Sequence, residues 1–135
     1  MNYWLMKSEP AAFSIDELQK REIEPWNGVR NYQARNFIRE MKPGDKAIFY
    51  HSSCQVPGAV GIMEIDSLPY PEDDPKWTTI DVAFIEKFKS PLALSQMRKI
   101  KQLKNMILLK RGNRLSVMPI TQNEFEIIVK KGRDK

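Results

Sequence analysis

Apolar and polar residues alternate along several short stretches of the chain, and each of these stretches predicts a β-strand. In the segment DKAIFYHS, Ala47, Phe49 and His51 share one face, while Ile48 and Tyr50 share the other. The remaining predicted strands are NYWLMKS, GAVGIMEI, WTTIDVAFIEKF and RLSVMPI.

Two helices are predicted from signals at their N-termini. Ser14 is followed three residues later by Glu17, and Thr121 is followed in the same way by Glu124. In such a capping box each side chain satisfies the backbone N–H of the other residue. Gly132 is the predicted end of the second of these helices. A further helix is predicted over LSQMRKIKQLKN.

The helix predicted from Tyr32 to Met41 has an apolar stripe and an unusual polar face. At about 100° per residue, the apolar positions fall within one arc of the helix. Tyr32, Asn36 and Arg39 fall on the opposite side, so the pattern places the tyrosine outside the core. The stripe consists of Ala34, Phe37, Ile38 and Met41.

Strands interspersed with helices, without a regular βαβ rhythm, favour an α+β fold built on a curved, mostly antiparallel sheet. The chain of 135 residues shows no linker, repeat or change in composition. We therefore expect one domain over residues 1–135.

Composition and charge narrow the classes of function. No apolar run approaches the ~18 residues of a membrane span, and the N-terminus lacks the pattern of a signal peptide. We therefore expect an intracellular, cytoplasmic protein without a membrane partner. One histidine and one cysteine argue against a structural zinc site, and His51 with Cys54 lacks the third group of a nucleophilic pair. We predict no metal site, no cofactor and no catalytic residue.

The net charge of +5 is moderate, but the basic residues are unevenly distributed. The stretch from Lys87 to Arg111 contains eight basic residues and no acidic one. Such a segment is either a solvated helix face or a surface that faces phosphates.

The start of the helix at Tyr32 carries the residue types that bind nucleic acid. Trp26 precedes the helix on a Pro–Trp–Asn–Gly turn, Arg30 and Arg35 flank the tyrosine, and Asn31 is the predicted N-cap. A base can stack on an aromatic ring, and arginine can bind its phosphate. We therefore predict that Trp26 is the wall of a concave pocket rather than a core residue, and that Arg30 and Arg35 bind phosphates.

Four motifs in order resemble the EVE-domain family: YWLMKSEP, WNGVRNYQARNFIREMKPGD, FYHSSC with the following PGAVGI, and RLSVMPIT. The resemblance extends from Asn2 to about Val129. It implies a PUA-like fold, a bent pseudo-barrel of five or six mostly antiparallel strands surrounded by helices. It also implies a non-catalytic reader of modified bases in DNA or RNA, and its motifs imply a pocket formed by Lys7, Ser8, Trp26, Val29, Asn31, Tyr32, Arg35, His51, Ser52 and Pro57.

Two positions depart from the family pattern. Asn27 stands where the family usually has an acidic residue, which removes a charge near the pocket. The loop LPYPEDDPKW is short where many relatives have a longer insertion, so the sequence does not provide a clear second aromatic wall. Tyr70 is the nearby substitute, and Trp77 is predicted to begin a strand.

The residues leave other functions open. Lys7, Glu9, Arg30 and Tyr32 could serve a nuclease or a base-modifying enzyme, although no nucleophile–base–orienter set is evident. A pocket for a free nucleoside or another small planar ligand is a third hypothesis. It differs from polynucleotide binding in having almost no salt dependence. The sequence does not indicate the oligomeric state.

The polar groups of the predicted pocket suggest which base it accepts. If Asn31 caps the helix with its side-chain oxygen, its amide nitrogen remains as a donor. Lys7 only donates, and Ser8 can donate or accept. A donor-rich pocket favours a base with acceptors, such as O2 and N3 of cytosine. The prediction is a pyrimidine modified at C5.

Overall fold

The computed structural model describes residues 1–134. In this part of the chain a six-stranded sheet has the order β2–β7–β4–β3–β1–β8, and β5 and β6 form a separate pair. No helix among these residues is long and apolar enough to cross a membrane. The strands are β1 (Tyr3–Ser8), β2 (Ile23–Pro25), β3 (Lys46–His51), β4 (Gly58–Ile65), β5 (Tyr70–Pro71), β6 (Thr78–Thr79), β7 (Asp81–Ala93) and β8 (Val117–Ile120), and the helices are α1 (Ile15–Arg21), α2 (Tyr32–Glu40), α3 (Leu94–Met97) and α4 (Gln122–Arg133).

The main sheet is bent and mostly antiparallel, as predicted. Only β1 and β3 pair in parallel, and β8 pairs antiparallel with the other edge of β1. The pairing register shifts between Phe49 and Tyr50 and again between Ala59 and Gly61. At Gly61 a side chain would collide with the carbonyl oxygen of Glu86, so glycine allows the two strands to approach closely.

Both faces of the sheet are buried, and the alternation in β3 shows how. Ala47 and Phe49 belong to the core cluster on one face, together with Trp26. Ile48 and Tyr50 belong to the cluster on the other face. The predicted division of β3 into two faces is therefore confirmed for these four residues, and the helices cover both sides of the sheet.

The two capping boxes are confirmed, but the predicted end of α4 is wrong. Ser14 with Glu17 and Thr121 with Glu124 form both reciprocal hydrogen bonds. Gly132 lies inside α4, which continues to Arg133. A Cβ atom at position 132 would overlap the ring of Phe88, so this glycine serves close packing rather than helix termination.

The helix predicted over LSQMRKIKQLKN is reduced to one α-helical turn. α3 ends at Met97, and a short 3₁₀ helix follows at Lys101–Leu103. The apolar residues of this segment recur every three positions, a spacing that drifts around an α-helix but matches three residues per turn. These residues are Leu94, Met97, Ile100, Leu103 and Met106.

The predicted strand WTTIDVAFIEKF is divided between two sheets. Thr78 and Thr79 pair with β5, whereas β7 begins at Asp81 and continues beyond Phe88 to Ala93. Trp77 precedes β6 and is not part of a strand. It lies on the surface, next to α2.

Candidate functional site

The turn before α2 is held by the helix cap. The side-chain Oδ1 of Asn31 accepts a hydrogen bond from the backbone N–H of Ala34 at 2.9 Å. The predicted cap is therefore confirmed, including the atom that it uses. Gly28 has φ +86°, a left-handed conformation that glycine adopts without strain, and this allows the chain to turn between Trp26 and the helix.

A cavity of about 450 Å³ lies between this turn and the end of β1. Six of the predicted site residues line it: Lys7, Ser8, Trp26, Val29, Arg30 and Asn31. The other lining residues are Ala12, Phe13, Glu24, Pro25, Asn27, Gly28 and Ser116.

Trp26 belongs both to the cavity wall and to the core. Its side chain is only 7% exposed. Its ring packs edge-on against Phe49 and Phe13, with centroids 5.2 and 6.2 Å away. The prediction of a pocket wall rather than a core residue was therefore right about the cavity and wrong about the core. A ring held on two sides is a rigid wall for whatever enters the cavity.

Two donor groups on residues that line the cavity make no hydrogen bond within residues 1–134, namely the indole N–H of Trp26 and the amide nitrogen of Asn31. In residues 1–134, Thr79 Oγ1 is the one fully buried side-chain polar atom that lacks a partner. The indole N–H of Trp26, which makes no hydrogen bond in this part of the chain, is therefore accessible. Lys7 is half-buried, and burial lowers the pKa of its ammonium group. Its Nζ lies 5.9 Å from the centre of the Tyr50 ring, in the cluster on the other face of the sheet from Trp26, so the ammonium, contrary to the prediction, is not among the donors of the cavity.

Ser8 differs from its predicted role. Its hydroxyl donates a hydrogen bond to the backbone carbonyl of Phe13 at 2.6 Å. Because that proton is engaged, the hydroxyl oxygen is left as an acceptor for a ligand. The cavity therefore contains acceptors as well as donors, and it is less donor-rich than the sequence suggested.

Tyr32 lies outside the cavity, in a stack on the surface. Its ring is parallel to that of Trp77 within 19°, with the centroids 5.1 Å apart. The guanidinium of Arg35 lies 4.9 Å from the centre of the Tyr32 ring, and that of Arg30 lies 5.1 Å from the centre of the Trp77 ring. Tyr32 is 55% exposed, but both aromatic rings of the stack are already engaged.

Arg30 is paired with a carboxylate. Its two terminal nitrogens donate to Glu72 at 2.9 and 3.2 Å, and the backbone N–H of Gly28 donates to the same side chain at 3.1 Å. The hydrogen bond from Arg30 is the largest cause that lowers the pKa of Glu72. By contrast, Arg35 donates to the carbonyl of Lys76 and to Asn36, neither of which carries a negative charge.

The three predicted site residues at the end of β3 and in the loop that follows it do not line the cavity. His51 Nε2 accepts a hydrogen bond from the backbone N–H of Ile15, at the start of α1. Burial is the main cause that lowers the pKa of His51. The backbone N–H of Ser52 donates to the carbonyl of Ser8, and the carbonyl of Pro57 accepts from Leu94. In this structure the contacts of these residues connect elements of the fold.

The basic segment from Lys87 to Arg111 does not act as one surface. Lys87 forms an ion pair with Asp16 at 2.6 Å. Lys99 and Lys101 instead line a groove together with Lys130 and Lys131 of α4. None of these four lysines forms an ion pair with another described residue. Their groove shares no lining residue with the cavity of Trp26.

Glu24, Phe13 and Ser116 were not predicted as site residues, although they line the cavity. Glu24 could have been found, because residues two positions apart in a strand share a face and Glu24 is two positions before Trp26. Phe13 and Ser116 are brought to the cavity by tertiary packing, for which the local sequence gives no signal.

Comparisons with known proteins agree with this architecture. A model of the EVE domain matches residues 2–131. Mouse thymocyte nuclear protein 1 is 43% identical over 164 aligned residues, which cover 95% of this chain and 72% of that protein. The structure of human thymocyte nuclear protein 1 in complex with DNA containing 5-methylcytosine has a TM-score of 0.91 at 37% identity, covering 100% of this chain and 99% of that chain.

A more distant likeness defines the fold class. The YTH domain of the Zygosaccharomyces rouxii MRB1 protein, solved with N6-methyladenosine RNA, has a TM-score of 0.60 at 14% identity and covers 98% of this chain and 86% of that chain. At this identity the likeness shows the fold alone, a PUA-like bent sheet with surrounding helices. Within that class, the match to the family model over nearly the whole chain shows that this protein belongs to the EVE-domain family.

Proposed function

We propose that this domain binds nucleic acid and accommodates a modified base, a C5-modified cytosine, in the cavity beside Trp26. It acts as a reader and does not change the base. The proposal extends to DNA and RNA, and an unpaired or flipped base costs less to insert than one stacked in a duplex.

The observation that carries this proposal is the combination of a rigid aromatic wall with unpaired polar groups. A cavity of about 450 Å³ is within the size range of ligand sites. The indole N–H of Trp26 and the amide nitrogen of Asn31 can donate to a base edge, and Ser8 Oγ can accept. Such groups favour a polar planar ligand over a purely apolar one.

The cavity also offers apolar surface for an added methyl group. Burial of one methyl group contributes about 0.8 kcal/mol, roughly a fourfold difference in affinity. The neighbouring apolar side chains are those of Phe13 and Val29. Discrimination by the methyl group alone is therefore modest, and hydrogen bonds to the base edge must add to it.

The relatives support the same class of ligand. The human relative was crystallised with DNA that contains 5-methylcytosine, and it covers the whole of this chain. That complex connects an EVE-type domain with a C5-modified cytosine, which is the modification that the cavity is proposed to accept.

Phosphate contacts would be made at two places. Arg30 lines the cavity, and Arg35 lies on the neighbouring surface of α2 against Tyr32, where it has no carboxylate partner in residues 1–134. The groove of Lys99, Lys101, Lys130 and Lys131 lies elsewhere and would contact a longer strand. These contacts do not distinguish sequences, so they set the affinity and the salt dependence rather than the choice of base.

The test is a binding panel of short single-stranded oligonucleotides with one central position varied. That position carries cytosine, 5-methylcytosine, 5-hydroxymethylcytosine, adenine or N6-methyladenine, in DNA and in RNA. Fluorescence anisotropy at two salt concentrations gives the Kd values, and mass spectrometry of the recovered oligonucleotides checks that the base and the backbone are unchanged.

We expect tighter binding to the C5-modified cytosines than to cytosine. Equal Kd values for all bases would contradict the reader function, and cleaved or altered strands would contradict its non-catalytic nature. Free 5-methylcytidine is the control for a nucleoside pocket. If it binds as tightly as the oligonucleotide and without salt dependence, the partner is a small molecule instead.

A further inference from the structure

The cavity beside Trp26 contains a carboxylate that the proposed function has not yet used. Among the described residues that line the cavity, Glu24 is the one acidic side chain. The cavity is also lined by the donor residues Trp26, Arg30 and Asn31. A carboxylate can only accept hydrogen bonds, so a ligand that satisfies this wall must bring a donor to it.

The strand pairing explains why Glu24 faces the cavity. Glu24 lies directly opposite Val82 in the antiparallel pair of β2 and β7. Directly opposed residues of neighbouring strands point to the same face, and Val82 belongs to the same core cluster as Trp26. The backbone N–H of Trp26 donates to the carbonyl of Ile80, which continues the pairing past Pro25. Glu24 and Trp26 therefore project from one face of one strand.

The carboxylate of Glu24 is available to a ligand. Its Oε1 lies 3.5 Å from a guanidinium nitrogen of Arg21, and the side chain is 26% exposed. No described residue donates a hydrogen bond to its Oε2. The ion pair on one oxygen orients the group, while the other oxygen is left for a donor from the ligand.

We propose that Glu24 accepts a hydrogen bond from the exocyclic amino group of the bound base and so selects an aminopyrimidine, the cytosine class, over a ketopyrimidine such as thymine or uracil. This inference rests on the proposed function. The donors around the cavity bind O2 and N3 of the cytosine edge, while Glu24 binds its N4 amino group. Acidic side chains accept from this amino group in other protein–nucleic acid complexes.

Thymine is the informative competitor because it carries the same C5 methyl group as 5-methylcytosine. The two bases differ at their edges, where thymine has a carbonyl oxygen at C4 and a proton on N3. A carbonyl oxygen facing the carboxylate would place two acceptors against each other and leave both without a donor. Sites that bind a donor in this way strongly reject an analogue that lacks it.

The test compares 5-methylcytosine with thymine at the central position of one DNA oligonucleotide, for four proteins. These are the wild type, Glu24→Gln, Glu24→Ala and the control Glu22→Gln. Glu22 is exposed, lies two residues away and does not line the cavity, and its substitution removes the same charge. Circular dichroism and urea unfolding establish that each variant is folded.

We expect the wild type and Glu22→Gln to prefer 5-methylcytosine over thymine by roughly tenfold or more, as for a hydrogen bond to a charged group. In Glu24→Gln the preference should fall severalfold, because an amide can rotate and donate to the carbonyl of thymine. In Glu24→Ala it should be lost. The ratio of the two Kd values is the readout, since a general loss of charge or stability changes both values alike.

The inference is overturned if Glu24→Ala retains the wild-type ratio, or if Glu22→Gln loses it to the same extent. It is also overturned if the wild type does not distinguish the two bases. Cytosine in the same panel separates this failure from failure of the proposed function. Tighter binding to 5-methylcytosine than to cytosine would keep the reader function intact, even with Glu24 excluded.

Discussion

Two aromatic regions flank the start of α2, the cavity beside Trp26 and the surface stack of Tyr32 on Trp77. They differ in which polar groups remain unpaired, a difference that the exposed fractions of the rings do not show. Trp26 is 7% exposed, and yet it lines an open cavity with donors that lack partners. Tyr32 is 55% exposed, but its ring is stacked on Trp77 and contacted by Arg35. The buried ring therefore forms part of a cavity wall, while the exposed ring already has an aromatic and a cationic partner.

The comparison teaches that a binding site is recognised by unpaired polar groups rather than by exposed aromatic area. The stack connects the loop before β6 to α2, assisted by the hydrogen bond from Arg39 Nε to Thr78 Oγ1 at 2.9 Å. Its contacts are already made in the free protein. In the cavity the indole N–H of Trp26 and the amide nitrogen of Asn31 make no hydrogen bond within residues 1–134, and a ligand would satisfy them.

The largest expected difference between the two regions is in stability. Trp26→Ala should lower the free energy of unfolding by about 3–5 kcal/mol, because a buried ring is removed from between Phe13 and Phe49. Trp77→Ala removes a half-buried ring from the surface stack and should cost about 1 kcal/mol. Urea unfolding followed by circular dichroism measures both. Equal losses would mean that the stack is as important to the fold as the core.

The second largest expected difference between the two regions is in oligonucleotide binding. Trp26→Phe keeps an aromatic ring in the core but removes the indole N–H, and should weaken binding to a 5-methylcytosine oligonucleotide by roughly five- to tenfold. The matched change Trp77→Phe keeps the stack and should leave the Kd unchanged. Anisotropy titrations at one salt concentration compare the two. A larger loss for Trp77→Phe would move the proposed site from the cavity to the surface.

The two arginines should differ in salt dependence. Arg35→Ala should weaken the binding of modified and unmodified oligonucleotides by the same factor. It should also flatten the slope of log K against log salt concentration by about 0.7 per phosphate contact on a single strand. Arg30→Ala should have a smaller effect, because a phosphate must displace Glu72 before it can bind Arg30. Titrations at four salt concentrations give the slopes. A loss confined to the modified strand would argue against phosphate contact.

The smallest expected effect concerns His51, which was predicted for the pocket but lies beside α1. Its Nε2 accepts from Ile15, so this nitrogen is unprotonated in the folded state. Burial lowers its pKa below the ordinary value of 6.5. The unfolded chain therefore takes up this proton more readily than the folded protein. The contribution of His51 to the free energy of unfolding is complete above pH 6.5, and it is lost as the pH falls through the pKa of His51 in the folded state.

His51→Gln offers the control for this pH dependence. Glutamine can still accept from Ile15 N–H, but it does not titrate. Urea midpoints between pH 7.5 and pH 5.5 should fall for the wild type and change less for the variant. Parallel curves would show that another group is responsible.

Much of the fold could be predicted because its signals are local. The capping boxes at Ser14 and Thr121 and the alternation in β3 depend on residues close in sequence. Gly132 shows the limit of such signals. A glycine near a helix end usually terminates the helix, but here the ring of Phe88, on a distant strand, requires the absence of a side chain.

The site was predicted less completely, for a related reason. Of the segment from Trp26 to Asn31, the three residues predicted for the pocket, Trp26, Val29 and Asn31, line the cavity together with their sequence neighbours. His51 lies at the end of a strand next to Ser8, but the pairing directs its ring toward α1. The contact of Trp77 with α2 could not be predicted, because it depends on how the loop before β6 folds back on the helix. The strand pattern of the adjacent threonines led instead to the prediction that Trp77 begins a strand.

The pairing of β1 with β8 also determines when this domain can fold. Tyr3 lies opposite Ile120, so the first strand of this sheet to be synthesised must wait for the last one. Contacts so distant in sequence slow folding. Nascent chains that end before Val117 would expose an unpaired edge of β1, and such edges pair readily with other chains. We therefore expect stalled synthesis, more than most single substitutions, to cause this protein to aggregate.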